Sequence, residues 1–316
     1  MTQINHKKIA LVFPGQGSQM VGMGEEICRQ EADAKNAFET VMRECSFDLV
    51  KLSWVGPEEA LRRTCHAQPA LLATSAACLQ ALRRHWTENP LCVAGHSLGE
   101  ISALWSAGAI KLTIAAQITV KRGQLMEQSP PGAMSAVLGA DQAEVEKLCA
   151  DQRGVVIANY NTPQQLVLSG DAISLKSVNQ KISTELKAKV IELPVGGAFH
   201  SPLMKIASEE FASFLDSFEF QSADCPVIQN IDALPSQEPI QLKANLKKQM
   251  TGSVQWVKSV QKMLELGAET FIEIGSGKVL SGLIKKIDRS VTVLQVSDPA
   301  SLSSTLETLG ISAVSV

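Results

Sequence analysis

Gly95-His96-Ser97-Leu98-Gly99 has the spacing in which a serine serves as a nucleophile. Flanked by glycines, such a serine can sit on a tight turn from strand to helix with its hydroxyl exposed, and the N–H after it, here that of Leu98, can donate to a developing oxyanion. The competing reading is a serine that only caps a helix. A nucleophilic serine needs a base, and His200, in the glycine-rich segment Val195-Gly196-Gly197-Ala198-Phe199-His200-Ser201-Pro202, is the best candidate. His96 is adjacent in sequence, but a neighbour on such an elbow usually points away from the serine. Together Ser97 and His200 would form a nucleophile and base, with His200 taking the serine's proton.

The elements that would position these residues alternate between strand and helix. Ile9–Phe13 is an apolar run that ends in Pro14-Gly15-Gln16-Gly17-Ser18, and a helix is predicted after it to about Arg29. Leu91–Ala94 leads into the serine turn, with a long helix-forming stretch from Leu98 onward. Repeated units of this kind predict an α/β fold, a mostly parallel sheet with helices on both faces, resembling that of hydrolases. From Pro130 the texture changes. Strands are predicted at Ala133–Leu138, Val155–Asn159, Gln165–Ser169 and Lys189–Pro194, with helices at Gln142–Ala150 and Leu175–Leu186. This β-α-β-β-α-β order is the split ferredoxin-like pattern. The expected organisation is a discontinuous large domain, 1–130 and 198–316, into which a small ferredoxin-like subdomain, 131–197, is inserted.

Composition narrows the function. A hydrophobic fraction of 45% and a charged fraction of 19% describe a globular chain rather than a disordered or fibrous one. A net charge of −3, with no basic runs interleaved with aromatics, argues against a nucleic-acid partner. No stretch reaches the ~18 apolar residues that a membrane helix needs, and the polar start, Met1 to Lys8, does not read as a signal peptide, so a cytoplasmic location is expected. The cysteines lack Cys-x-x-Cys spacing and the histidines show no i, i+4 pair around a carboxylate, so neither a disulfide framework nor a metal site is expected. Gly15-x-Gly17 is followed by Met20 where a dinucleotide loop needs its third glycine. Gly275-Ser276-Gly277-Lys278 lacks the upstream glycine and the hydroxyl residue after the lysine that a phosphate loop requires.

Four separated segments, in order, resemble the malonyl-CoA:acyl carrier protein transacylase family. They are Phe13-Pro14-Gly15-Gln16-Gly17-Ser18-Gln19, Gln68-Pro69-Ala70-Leu71-Leu72, Gly95-His96-Ser97-Leu98-Gly99-Glu100 and Ala198-Phe199-His200-Ser201-Pro202-Leu203-Met204. The resemblance covers essentially the whole chain. It implies that Ser97 is acylated, that His200 is the base, and that the backbone N–H groups of Gln16 and Leu98 form the oxyanion hole. It places Arg122, in Lys121-Arg122-Gly123, on the malonyl carboxylate, where a planar fork binds in a way lysine cannot reproduce. It orients the base by backbone carbonyls and assigns that neighbourhood to Gln255. Asn161 matches a cleft asparagine of the small domain. Phe199 matches a residue that favours malonyl over branched units, although Gly197 departs from the polyketide form of that motif. The implied partners are malonyl-CoA, as a substrate, and an acyl carrier protein. No cofactor, metal or membrane is implied, and a monomer is expected. Lys278, Lys285, Lys286 and Arg289 are candidates for a basic rim facing an acidic carrier.

Two other readings compete. An α/β-hydrolase would use the same elbow but wants its histidine near the end of the chain and a separate oxyanion loop, whereas about a third of this chain follows His200. Within the family, a malonyltransferase serving a polyketide synthase in trans shares the same residues.

Overall fold

A computed structural model of the chain describes residues 4–312, so the outermost residues of the expected large domain, and Met1 to Gln3 of the polar start, lie outside the described residues. Among the described residues, ten strands form two sheets. The larger has the order β10 (Thr292–Val296), β9 (Thr270–Ile274), β1 (Ile9–Phe13), β2 (Cys92–Gly95), β7 (Val227–Ile228), β8 (Pro235–Ser236). All its neighbours pair in parallel except β7 with β8. A parallel sheet is covered on both faces, which explains why every residue of β1 is buried. Alternate side chains go to opposite sides: Ile9, Leu11 and Phe13 join the main core, and Ala10 and Val12 join a second core under the helices Trp256–Glu265 and Val279–Ile287.

The smaller sheet is antiparallel, with the order β4 (Val155–Thr162), β5 (Gln165–Gly170), β3 (Ala133–Leu138), β6 (Lys189–Glu192). The helices Gln142–Ala150 and Ala172–Glu185 pack on it and enclose a separate core that includes Val145, Ile157, Leu168 and Val178. Its edge strand β4 is fastened to the rest of the molecule: Tyr160 N–H donates to the Val254 carbonyl at 2.9 Å, and Val254 N–H donates to that of Ala158 at 2.8 Å.

One predicted helix is much shorter than expected. Of the segment predicted as a helix up to about Arg29, only the part from Glu25 onward is helical, because Gly17, Gly22 and Gly24 adopt positive φ and keep the preceding residues in turns. The segment therefore stays at the end of the parallel sheet as a loop. The helical stretch after the elbow is likewise divided, into Gly99–Ser106 and Leu112–Glu127, with Gly108 at φ 75° between them.

Candidate active site

Strands β1 and β2 are parallel neighbours, so the loops leaving their C-terminal ends lie side by side, the usual location of sites in open α/β sheets. One loop carries Gln16 and the other Ser97. His96 N–H donates to the Phe13 carbonyl at 3.0 Å and locks the two together. Ser97 takes φ 52°, a left-handed conformation that costs a non-glycine residue about 1–3 kcal/mol. The following helix packs so closely on β1 that a Cβ on Gly99 would lie 2.1 Å from the Phe13 carbonyl oxygen, so this position needs glycine.

The side chains that meet at Ser97 come from four further parts of the chain. His200 Nε2 lies 2.7 Å from Ser97 Oγ. On the other side of the ring, Nδ1 faces two backbone carbonyls, Gln249 at 2.9 Å and Gly252 at 3.0 Å. Carbonyls only accept, so Nδ1 carries the proton and Nε2 is left with the lone pair that faces the hydroxyl. Burial, and then the charge of Arg122, push the His200 pKa down to about 3, against the opposing pull of the two carbonyls. The imidazole is therefore neutral at physiological pH.

Arg122 projects from the helix Leu112–Glu127 and is 1% exposed. Its Nη1 donates to Gln68 Oε1 at 3.0 Å, and its Nη2 to Gln249 Oε1 at 2.9 Å and to Ser97 Oγ at 3.1 Å. The Nε has no hydrogen-bond partner. Burial lowers the guanidinium pKa to about 10, which leaves it charged, with only neutral acceptors in direct contact. A buried cation held in this way is prepared for an anion.

The N–H groups of Gln16 and Leu98 have no protein acceptor among the described residues, while the Gln16 side chain is anchored by Nε2 to Thr64 Oγ1 at 3.2 Å. His96 turns away from the serine, as expected, and its Nε2 meets Asn161 Oδ1 at 2.8 Å, so the elbow is linked to β4. Phe199 is buried beside His200 and lines a cleft of about 400 Å³ together with Gln16, His96, Ser97 and Met134. An adjoining cavity of about 350 Å³ continues past Phe199 toward Arg62, Arg63 and Thr64.

Gln255 requires a correction. The carbonyls that hold the base belong to Gln249 and Gly252, in the turn that follows the helix Pro239–Lys248. Gln255 lies beyond that turn, caps the helix Trp256–Glu265, and donates its N–H to the Asn230 carbonyl at 2.9 Å. The sequence reading also left out Gln249, Asn230 and the carboxylate of Glu100. Gln68 and Glu100 do lie in quoted motif segments, which was the only local signal for them. Lys285 is tied back to the carbonyls of Arg289 and Val291, at 3.3 and 2.5 Å, and does not stand free on the rim. Among the described residues, no group of three or more His, Cys, Asp and Glu side chains could hold a metal, and no helix is long and apolar enough to cross a membrane.

The largely parallel α/β sheet, with Ser97 on a strained elbow and His200 against it, is the setting of an acyltransferase. The chain belongs to the acyl transferase domain family, whose profile matches residues 10–302. It is 40% identical over 309 residues to the malonyl CoA-acyl carrier protein transacylase of Bacillus subtilis (strain 168), covering 96% of this chain and 97% of the relative. It superposes with a TM-score of 0.90 on an acyl carrier protein S-malonyltransferase from Vibrio cholerae, at 38% identity, covering 94% of this chain and 99% of the other. A malonyl-transacylase solved in complex with its type II polyketide acyl-carrier protein matches with a TM-score of 0.91 at 34% identity, over 95% and 99% of the two chains.

Proposed function

We propose that this protein is a malonyl-CoA:acyl carrier protein transacylase that works by a ping-pong mechanism through a malonyl ester of Ser97. The observation that carries this reading is the buried Arg122 guanidinium, in contact with the Ser97 hydroxyl and hydrogen-bonded to neutral acceptors alone. An esterase has no use for such a group. A donor whose acyl chain ends in a carboxylate has one.

In the proposed first half-reaction, His200 Nε2 removes the Ser97 hydroxyl proton as Oγ attacks the thioester carbon. The negative charge on the carbonyl oxygen is received by the Gln16 and Leu98 N–H groups. The intermediate collapses, the C–S bond breaks, and His200 returns its proton to the coenzyme A sulfur. In the second half, the carrier thiol gives its proton to His200 and attacks the Ser97 ester, and the regenerated serine takes that proton back. No step calls for a metal or a redox cofactor. Arg122 would hold the malonyl carboxylate throughout, and Phe199 would leave little room for a branch on the α-carbon.

The acyl carrier protein is the proposed acceptor. Lys278, Lys286 and Arg289 form the candidate basic rim, without the head group of Lys285. The proposed domain division is 1–130 and 198–316 around a ferredoxin-like unit at 131–197, supported by the strand order β4-β5-β3-β6 and by the separate core of that segment. Seven free cysteines fit a reducing compartment, and the cytoplasm is proposed. A polyketide rather than a fatty-acid carrier is the second reading, since one structural relative was solved with such a carrier.

The deciding experiment is intact mass after brief incubation with malonyl-CoA or acetyl-CoA, for the wild type and Ser97→Ala. A malonyl adduct on the wild type alone is expected. No adduct, with rapid release of free malonate, would point to a hydrolase instead.

A further inference from the structure

A second buried polar cluster lies directly behind the elbow and takes no part in the proton transfers. Glu100, at 1% exposure, carries its carboxylate into the core one residue past Gly99. The Asn230 N–H donates to its Oε2 at 2.6 Å, and Gln229 Nε2 to its Oε1 at 3.2 Å. The Asn230 side chain then grips the elbow at two points: Oδ1 accepts the Ser97 N–H at 2.7 Å, and Nδ2 donates to the Gly95 carbonyl at 2.6 Å. Only one orientation of the amide satisfies both bonds. Gln249, whose side chain also hydrogen-bonds Glu100, donates from Nε2 to the Ser97 carbonyl at 2.9 Å.

A carboxylate is an expensive group to bury among neutral amides, and burial pushes the Glu100 pKa up to about 7 in spite of the lowering by Asn230, Gln249, Gln229 and Arg122. A leucine of similar volume would avoid that cost but would leave the Asn230 N–H without its acceptor. The geometry gives the carboxylate a use. Ser97 must be kept at φ 52°, a conformation it would otherwise leave, and the bonds that span it originate in Asn230, whose own backbone is fixed by Glu100.

We propose that Glu100 and Asn230 are positioning residues for the nucleophile: the carboxylate fixes the Asn230 backbone, and the Asn230 side chain clamps the turn that aims Ser97 Oγ at His200. This rests on the reading of Ser97 as the acylated residue. A displacement of the reacting atom by about 1 Å can cost a hundredfold in rate, and this sets the scale of the effect.

The test compares Glu100→Leu and Asn230→Ala with the wild type in single-turnover acylation by malonyl-CoA, followed by rapid quench and intact mass, alongside KM and Tm. The expected result for both is acylation slowed roughly tenfold to hundredfold with KM nearly constant, measured well below the Tm of each variant. Glu100→Gln, which keeps an acceptor for the Asn230 N–H, should recover much of the rate. If Glu100→Leu disrupts folding, Asn230→Asp, which keeps the acceptor for Ser97 N–H but loses the donor to Gly95, takes its place with the same expectation. Acylation at the wild-type rate in the folded variants, or a loss of rate that only follows a fall in Tm, would overturn the proposal. Ser97→Ala in the same assay separates this outcome from failure of the Ser97 reading, because in that case it would still acquire an adduct.

Discussion

Arg122 and Ser97 are hydrogen-bonded to each other, Nη2 to Oγ at 3.1 Å, so the proposed carboxylate site and the nucleophile are in direct contact before any substrate arrives. A malonyl group esterified to Oγ would carry its free carboxylate on the third carbon, within reach of the guanidinium beside it. The same charge also favours any negative charge that develops on Oγ during attack.

The first prediction follows from that contact. Arg122→Ala removes charge-assisted hydrogen bonds worth about 1.5–3 kcal/mol each, and kcat/KM for malonyl-CoA should fall at least roughly tenfold to hundredfold. Loading of Ser97 from acetyl-CoA should fall less, so the ratio of the two donors shifts toward acetyl. Arg122→Lys should not restore malonyl transfer, because a point charge cannot reproduce the fork held between Gln68 and Gln249. Steady-state kinetics with both donors checks this, and an unchanged donor ratio in Arg122→Ala would remove Arg122 from carboxylate recognition.

How much of this could be read from the sequence depends on the distance over which each feature acts. The elbow was legible because Gly95, Ser97 and Gly99 are neighbours and the reason for each is local. The order of strands and helices in the smaller sheet was legible for the same reason: alternation and helical periodicity change within a few residues, and β3 and the helix Gln142–Ala150 fall on their expected bounds. Gln249 and Asn230 gave no such signal. They act across 152 and 133 residues of chain, through an amide and a turn that resemble any other polar segment. The carbonyl support of His200 came from the family resemblance, which assigned it to the neighbourhood of Gln255; which carbonyls face the ring depends on the turn after the helix Pro239–Lys248, and such boundaries are the least legible feature of a sequence.

His200 provides a second prediction, in stability. Its folded pKa, about 3, lies below its ordinary value of 6.5, so the unfolded chain binds more protons between those limits. The contribution is fully present above about pH 6.5 and is lost as pH falls toward 3. His200→Gln should therefore flatten the acid side of the stability–pH curve by up to one proton, roughly 1.4 kcal/mol per pH unit. His96, also lowered by burial, contributes a slope of its own to both proteins. Denaturant unfolding between pH 4.5 and 7.5 makes the comparison. Equal slopes in the two proteins would mean that His200 titrates normally when folded.

The oxyanion assignment can be tested through Gly15, although backbone amides cannot themselves be substituted. A Cβ on Gly15 would lie 2.3 Å from the His96 carbonyl oxygen, a backbone atom that cannot rotate out of the way. In Gly15→Ala the loop after β1 must therefore move away from the elbow, and the Gln16 N–H moves with it while the Leu98 N–H stays. Loss of one such donor costs roughly a hundredfold to a thousandfold in kcat. Because the donor pair acts on charge that exists only in the transition state, kcat should fall much further than affinity for malonyl-CoA. Circular dichroism and Tm establish that the variant is folded, and single-turnover acylation gives the rate. If the folded variant acylates Ser97 at the wild-type rate, the charge is not received at Gln16, and Leu98 would have to act with a different partner.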